Sequence, residues 1–425
     1  MNATRSGTGP TSASGPDPEE VSFAGIQKAA KLIRGAVLET PCLPAPALSA
    51  LTGAEVFVKY ENMQVTGAFK ERGAIVKLAS LTPEERSRGV IAMSAGNHAQ
   101  GVACHARRLG IPATIIMPES TPFVKIAATK SYGADVVLAG ETVHEASEEA
   151  DRIASERGLV WVHPYDDPRV IEGQGTIALE MLETYPDLDT LVIPIGGGGL
   201  IAGNGTAAKA IRPDIEVIGV ETVLYPGMWG DFYGKEVRCE GATIAEGIAV
   251  RDVGKLTRQI VRKVVDDIIL AKESTIERAI NAYLTRLRTI AEGAGAAGLA
   301  ALMSEPERFA GKKVGLILCG GNIDPRLLSS IVIRELARDG RLVSIRIDTP
   351  DRPGVLGEIA TVIGNLKGNV VDVAHHHLFL NVPAKGATLD VTFEAFDGQH
   401  GEEIVAALRE RGYLVRHMEV AETFE

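Results

Sequence analysis

Residues 64–73 read Gln-Val-Thr-Gly-Ala-Phe-Lys-Glu-Arg-Gly, with Lys70 between two glycines. The stretch lies between an apolar run, Glu55–Lys59, and a helical pattern, so it is a strand-to-helix junction. A lysine held at such a junction can form a Schiff base with a carbonyl cofactor. Taken singly, Lys70 reads more readily as a solvated lysine beside Glu71 and Arg72, as most lysines are. Two later stretches weigh against that: Ser94-Ala95-Gly96-Asn97-His98-Ala99-Gln100-Gly101 and Gly196-Gly197-Gly198-Gly199-Leu200. Each sits where a strand ends and a helix begins, leaving backbone N–H groups free for an anion. One nucleophilic lysine with two anion cradles suits a cofactor phosphate and a substrate carboxylate.

The surrounding chain alternates short apolar runs with helical patterns. The runs are Glu55–Lys59, Gly89–Ser94, Ala113–Met117, Ala134–Leu138, Leu159–His163, Thr190–Ile195, Glu216–Val220 and Lys313–Cys319. Most gaps hold a crossover helix, the pattern of buried parallel strands in an α/β fold. After a plausible hinge at Asp339-Gly340 the pattern changes. Leu342–Asp348, Val370–Leu380, Ala387–Phe396 and Leu414–Val420 read as strands, Gly354–Leu366 and Gln399–Arg411 as helices. That β-α-β-β-α-β order is the ferredoxin-like plan.

With Cys319-Gly320-Gly321-Asn322 downstream, the three motifs resemble those of the fold type II pyridoxal-phosphate enzymes and, among them, the threonine dehydratases (threonine ammonia-lyases). The resemblance covers residues 20–338; residues 341–425 resemble an ACT regulatory domain. It implies a large α/β domain from residues 21–65 and 164–338, a smaller one from 66–163, and pyridoxal 5'-phosphate in the cleft between them. It makes Lys70 the aldimine lysine and the base for the Cα proton, with Phe69 beside the cofactor ring. Gly196, Gly197, Gly198, Gly199 and Leu200 would wrap the phosphate, and Cys319 would face the ring nitrogen. Asn97 would reach the ring oxygen, and Glu292 would line the pocket. Ser94, Ala95, Gly96, Asn97 and His98 would hold the substrate carboxylate. Serine racemases carry an acid–base serine at the position of Ala95; alanine moves no proton, so elimination is expected over racemisation.

The implied reaction converts L-threonine to 2-oxobutanoate and ammonia, with L-serine as a second substrate. Serine- or 3-hydroxyaspartate-preferring enzymes of the same fold, racemases included, remain alternatives, as does a non-catalytic amino-acid sensor. Gly197, Gly199 and Ala202 also satisfy G-x-G-x-x-A, and Glu221 follows at the distance of a ribose-binding acid. A nicotinamide enzyme, however, has no need of Lys70 or of the Ser94–Gly101 cradle. Glu221 matches an acidic position at a cation site in some relatives, but Tyr225 and Gly227 stand where further ligands would lie, so no metal is expected. Neighbours in a strand alternate faces, so His375-His376-His377 do not converge on an ion. In the ACT-like segment, Asp351, Gly354 and Leu356 form a turn that, with Asn369 of a paired subunit, would bind an amino-acid effector in a homodimer or homotetramer.

The net charge of −11 disfavours nucleic acid and anionic membranes as partners. No apolar stretch approaches the ~18 residues of a membrane span. The Gly/Ser/Pro-rich residues 1–20 read as a disordered tail without a signal core. Cys42, Cys104, Cys239 and Cys319 form no C-x-x-C pair, as expected of a reduced, cytoplasmic protein.

Overall fold

The computed structural model describes residues 20–376 and 386–418. It divides into two units, residues 1–276 with 286–322, and residues 277–285 with 323–425. The expected tail lies almost wholly outside the described residues, as do His377 and the ends of two expected strands.

The first unit holds two sheets. Cys42–Pro44 (β1), Glu55–Tyr60 (β2), Thr190–Pro194 (β7), Glu216–Thr222 (β8), Asp267–Ala271 (β9) and Lys313–Leu318 (β10) form one. Its order is β1-β2-β10-β7-β8-β9. Val90–Met93 (β3), Ala113–Met117 (β4), Asp135–Leu138 (β5) and Val160–Trp161 (β6) form the other, in the order β5-β4-β3-β6. All pairings are parallel except β1 with β2. Every residue of β7 is buried, which is why such strands read as unbroken apolar runs.

Two strands were not expected. β1 has three residues and ends in Pro44, too short to show alternation and suited to an edge. β9 follows the helix Lys255–Val264 after two residues, so its apolar run merges with the helical pattern before it. The larger sheet is therefore mixed rather than wholly parallel.

The helix Lys70–Ala79 is held by backbone-to-backbone contact. A Cβ at Gly173, in the helix Pro168–Thr184, would lie 2.6 Å from the Arg72 carbonyl oxygen and the Gly73 Cα. The same helix crosses Gly199–Ile211 at Gly203, where a Cβ would meet the Ile171 carbonyl oxygen at 2.2 Å. No side chain fits at either crossing.

Beneath that helix lies a buried ion cluster that sequence reading missed. Arg72 Nε and Nη2 donate to Glu61 at 2.7 and 2.8 Å, and Nη1 and Nη2 donate to Glu180 at 2.5 and 2.8 Å. Lys59 Nζ donates to Glu180 and to the Thr40 carbonyl oxygen, both at 2.5 Å. Arg72 and Glu61 are wholly buried. Burial pushes the Glu61 carboxyl up, but Arg72, Lys59 and Thr40 outweigh it and leave it below its ordinary value.

In the second unit, Leu342–Pro350 (β11), Asn369–His376 (β12), Gly386–Glu394 (β13) and Leu414–His417 (β14) make an antiparallel sheet ordered β12-β13-β11-β14. With the helices Val355–Asn365 and Gly398–Glu410, this is the expected βαββαβ plan. Burial alternates along β11, and Ile345, Ile347, Leu389 and Phe393 pack beneath Ile359, Ile363, Ile404 and Leu408. The register pairs Leu342 and Asn369 with Glu394, and Pro350 with Gly386. Asn369 thus lies at the opposite end of the sheet from the Asp351–Gly354 turn. These four expected effector residues do not converge within one chain, so a site using all of them requires a second subunit. Among the described residues no helix is long and apolar enough to cross a membrane.

Candidate active site

The motifs lie at the carboxyl ends of β3, β7 and β10, where open α/β sheets place their ligands. β2 leads through the short helix Glu61–Met63 to Gly67, whose φ of +73° suits a glycine. The chain then pairs with the segment after β10. Phe69 N–H donates to the Cys319 carbonyl oxygen at 3.0 Å, and Gly321 N–H to that of Gly67 at 2.9 Å. Glu292 N–H donates to the Gly320 carbonyl oxygen at 3.1 Å. A Cβ at Gly320 would fall 2.3 Å from Glu292 Oε1, so three distant stretches close on one point.

Lys70 opens its helix there, and its Nζ donates to the Pro164 carbonyl oxygen at 2.8 Å. Burial pushes the amine down to about 8, with Cys319 and Glu292 pulling the other way. A lysine near 8 has a minor but useful fraction of its amine neutral at physiological pH, far more than an ordinary lysine, and is correspondingly more nucleophilic. Its neighbours Glu71 and Arg72 are both wholly buried, which removes the solvated-surface reading.

Asn97 starts the helix Asn97–Leu109, and its Nδ2 donates to Glu292 Oε1 at 2.7 Å. Burial pushes Glu292 up to about 7, against that hydrogen bond, so a proton at this carboxyl is available near neutrality. Cys319 is 2% exposed, and burial holds its thiol well above its ordinary value. It stays a neutral, weak partner. Ser94 Oγ accepts from Gly96 N–H at 3.2 Å. His98 turns its ring away from the expected cradle, its Nε2 bonded to the Val162 carbonyl oxygen at 2.8 Å. Burial and the nearby Lys70 push it down to about 3, so it is neutral. Only its backbone N–H remains for a carboxylate.

After β7, Gly198 adopts φ +93° and caps the helix Gly199–Ile211 without a side chain. The first-turn N–H groups of Gly199, Leu200 and Ile201 lack intrahelical partners. A Cβ at Gly197 would fall 2.2 Å from the Tyr165 ring. Tyr165 in turn donates from Oη to the Asp252 carbonyl oxygen at 2.8 Å. The segment His163–Asp166 thus joins Lys70, through Pro164, to the glycine run, through Tyr165. Neither residue was singled out from sequence, because a carbonyl and a packing ring carry no motif. A lysine nucleophile beside a cradle of backbone N–H groups, which only glycines leave open, fits the aldehyde and phosphate of pyridoxal phosphate.

Glu221 is wholly buried and accepts N–H groups from Met228 at 2.9 Å and Trp229 at 2.7 Å. It is spent on its own chain and has no reach to a ribose, which disposes of the nicotinamide alternative. The segment Thr243–Gly247 is held by Glu273, which accepts from Thr243 Oγ1 at 2.7 Å and Ile244 N–H at 2.8 Å. Among the described residues no group of three or more His, Cys, Asp or Glu side chains could hold a metal.

This fold and site define a fold type II, pyridoxal-phosphate-dependent enzyme, and residues 33–320 match that family: the chain belongs to the pyridoxal-phosphate dependent enzymes. It is 44% identical over 398 residues to the L-threonine ammonia-lyase of Thermotoga maritima, covering 93% of this chain and 99% of that one. The processed form of threonine deaminase isoform 2 from Solanum lycopersicum superposes with a TM-score of 0.71 at 36% identity, over 76% of this chain and 90% of that one. Maize serine racemase does so at 0.69 and 34%, over 75% and 98%.

Proposed function

We propose that the protein is a threonine ammonia-lyase, converting L-threonine to 2-oxobutanoate and ammonia and accepting L-serine as a second substrate. The observation that carries this is the Lys70 amine, held near neutrality between the Cys319–Gly321 segment, Pro164 and Glu292, in a chain 44% identical along nearly its whole length to a relative of that activity. Pyridoxal phosphate, when bound, supplies an aldehyde for the substrate amine and a ring that withdraws electrons from Cα. Lys70 holds the cofactor and, once displaced by substrate, takes the Cα proton on Nζ. The backbone N–H groups around Gly199 hold the phosphate. The Ser94–Asn97 turn orients the substrate carboxylate. Cys319, a neutral thiol, leaves the ring nitrogen without a counter-charge, which favours prompt loss of the β-hydroxyl. Ala95 has no proton to deliver to the opposite face of Cα, which supports elimination where maize serine racemase has the same fold.

We read residues 21–65 with 164–338 and residues 66–163 as the two catalytic lobes, although 277–285 and 323–338 group with the C-terminal unit, in a cytoplasmic homo-oligomer. The βαββαβ unit is an ACT domain through which a small amino acid controls activity. Titration with isoleucine or valine that moves neither kinetics nor thermal stability refutes that choice of effector. The test of the main reading is Lys70→Ala. Both the visible absorbance of the bound cofactor and keto-acid release from threonine should vanish, and substantial residual turnover sinks the mechanism.

A further inference from the structure

Asn322 belongs to none of the site roles assigned so far, yet its side chain joins two of the site's parts. Its Nδ2 donates to the Thr66 carbonyl oxygen at 2.7 Å and to Asn97 Oδ1 at 2.8 Å. An amide nitrogen carries two hydrogens, so both are used. Its Oδ1 lies over Gly67, where an added Cβ would approach it to 2.4 Å. Only glycine leaves that room. One side chain therefore holds the loop that delivers Lys70, three residues after Gly67, and the first residue of the Asn97 helix.

We propose that Asn322 is a positioning residue: it decides which way round the Asn97 amide faces and ties Asn97 to the Lys70 loop. The chemistry is one of exclusion. Asn97 Oδ1 can only accept and its Nδ2 can only donate. With Oδ1 taken by the Asn322 amide, Nδ2 must face Glu292 Oε1, where it donates at 2.7 Å. Turning the amide over would set N–H against the N–H of Asn322 and lose both bonds. Asn97 is thus left with one N–H on Glu292 and one for whatever occupies the site. Without Asn322 only Glu292 is left to orient the amide, and a carboxylate at position 322 competes with Glu292 for its Nδ2.

Asn322 is itself exposed, and so are its contacts with Asn97. Removing the amide leaves no cavity and gives up one part-buried hydrogen bond to Thr66, so a purely structural role predicts only a small loss of stability and no change in the cofactor band. This separates positioning from folding. Supporting groups of this kind commonly set activity by ten- to a hundredfold.

The experiment compares Asn322→Ala and Asn322→Asp with the parent enzyme, each loaded with pyridoxal phosphate. Three quantities are read: the pH midpoint of the visible cofactor band, the cofactor dissociation constant, and kcat with KM for threonine. The spectral and binding arms need only the family's cofactor; the kinetic arm also rests on the threonine reading. Expected are a displaced pH midpoint, cofactor binding weakened about tenfold, and kcat lowered at least tenfold with KM within threefold. Asp should be worse than Ala, and the melting temperature should stay within a few degrees. A band midpoint and cofactor affinity unchanged in both variants overturn the proposal, whatever happens to kcat. So does an effect that follows only the melting temperature. Inactivity of the parent on threonine, with the spectral shifts intact, would refute the substrate and leave the positioning role standing.

Discussion

Replacing Arg72 with methionine tests the cluster beneath the catalytic lysine. The substitution keeps an unbranched side chain in the space but removes the guanidinium from a wholly buried site. Its two carboxylate partners do not suffer alike. Glu180 keeps Lys59 at 2.5 Å and is 19% exposed, so water and a cation still attend it. Glu61 is wholly buried and keeps as hydrogen-bond donors only the neutral Thr40 Oγ1, at 2.5 Å, and Gln64 Nε2, at 3.1 Å, with the Lys59 charge acting on it without a hydrogen bond. Stranding one buried carboxylate in this way costs about 3–5 kcal/mol. Glu61 has an escape, which is to take up a proton. From its ordinary value of 4.5, neutralisation at pH 7 costs about 3.4 kcal/mol at ~1.4 per pH unit. The loss at pH 7 should therefore be about 3–4 kcal/mol, a large part of a typical domain's stability.

The sign with pH follows. In the parent, Glu61 lies below its ordinary value, so its stabilisation is present above about pH 4.5 and fades as pH falls through the lower folded value. In the variant the carboxyl is forced above 4.5, so the gap between the two proteins should shrink from pH 7 towards 4.5. The assay is urea unfolding by circular dichroism at fixed protein concentration, at pH 5, 6 and 7. A loss under about 1 kcal/mol, or one independent of pH, refutes the reasoning. Arg152→Ala is the control: its partners Glu149 and Glu156 lie on an open helix face with 30% and 57% exposure, and it should cost less than about 1 kcal/mol.

The rate of pyridoxal phosphate addition to cofactor-free protein should rise as pH increases through about 8 and then level off, because only the neutral Lys70 amine attacks. Stopped-flow absorbance gives the midpoint; a rise continuing to 10.5 refutes the role of burial. Gly203→Ala sets a Cβ 2.2 Å from the Ile171 carbonyl oxygen, and backbone on both sides cannot swing aside. A loss of about 1–3 kcal/mol in urea unfolding is expected, and an unchanged midpoint means that the two helices separate freely.

Much of this protein was legible in its residues. Most of the parallel strands announced themselves as apolar runs because both their faces are covered, though β5 and β6 at the sheet edges are only partly so, and the C-terminal unit did so through the alternation of β11. The lysine and the glycine run stood out because their roles demand specific residue types: an amine, and backbone without Cβ. β1 and β9 escaped because a three-residue edge strand and a run continuous with a helix leave no periodic signal. Arg72, Glu61 and Glu180 escaped because charged residues 11 and 108 positions apart carry no mark of burial in a sequence. Pro164 and Tyr165 escaped because a carbonyl and a packing ring are generic groups.

The division is one of locality. Sequence alone determined the fold class, the family and the residues whose chemistry is their own: Lys70, the glycine run, Cys319 and Ala95. Tertiary structure decided everything that depends on what surrounds a group. It brought the Lys70 amine down to about 8 and Glu292 up to about 7, and it turned the His98 ring onto Val162 and spent Glu221 on its own chain. It also faced Asn97 with Asn322. Protonation and hydrogen-bond direction follow from desolvation and from neighbours within a few ångströms, and only the folded chain brings those neighbours together.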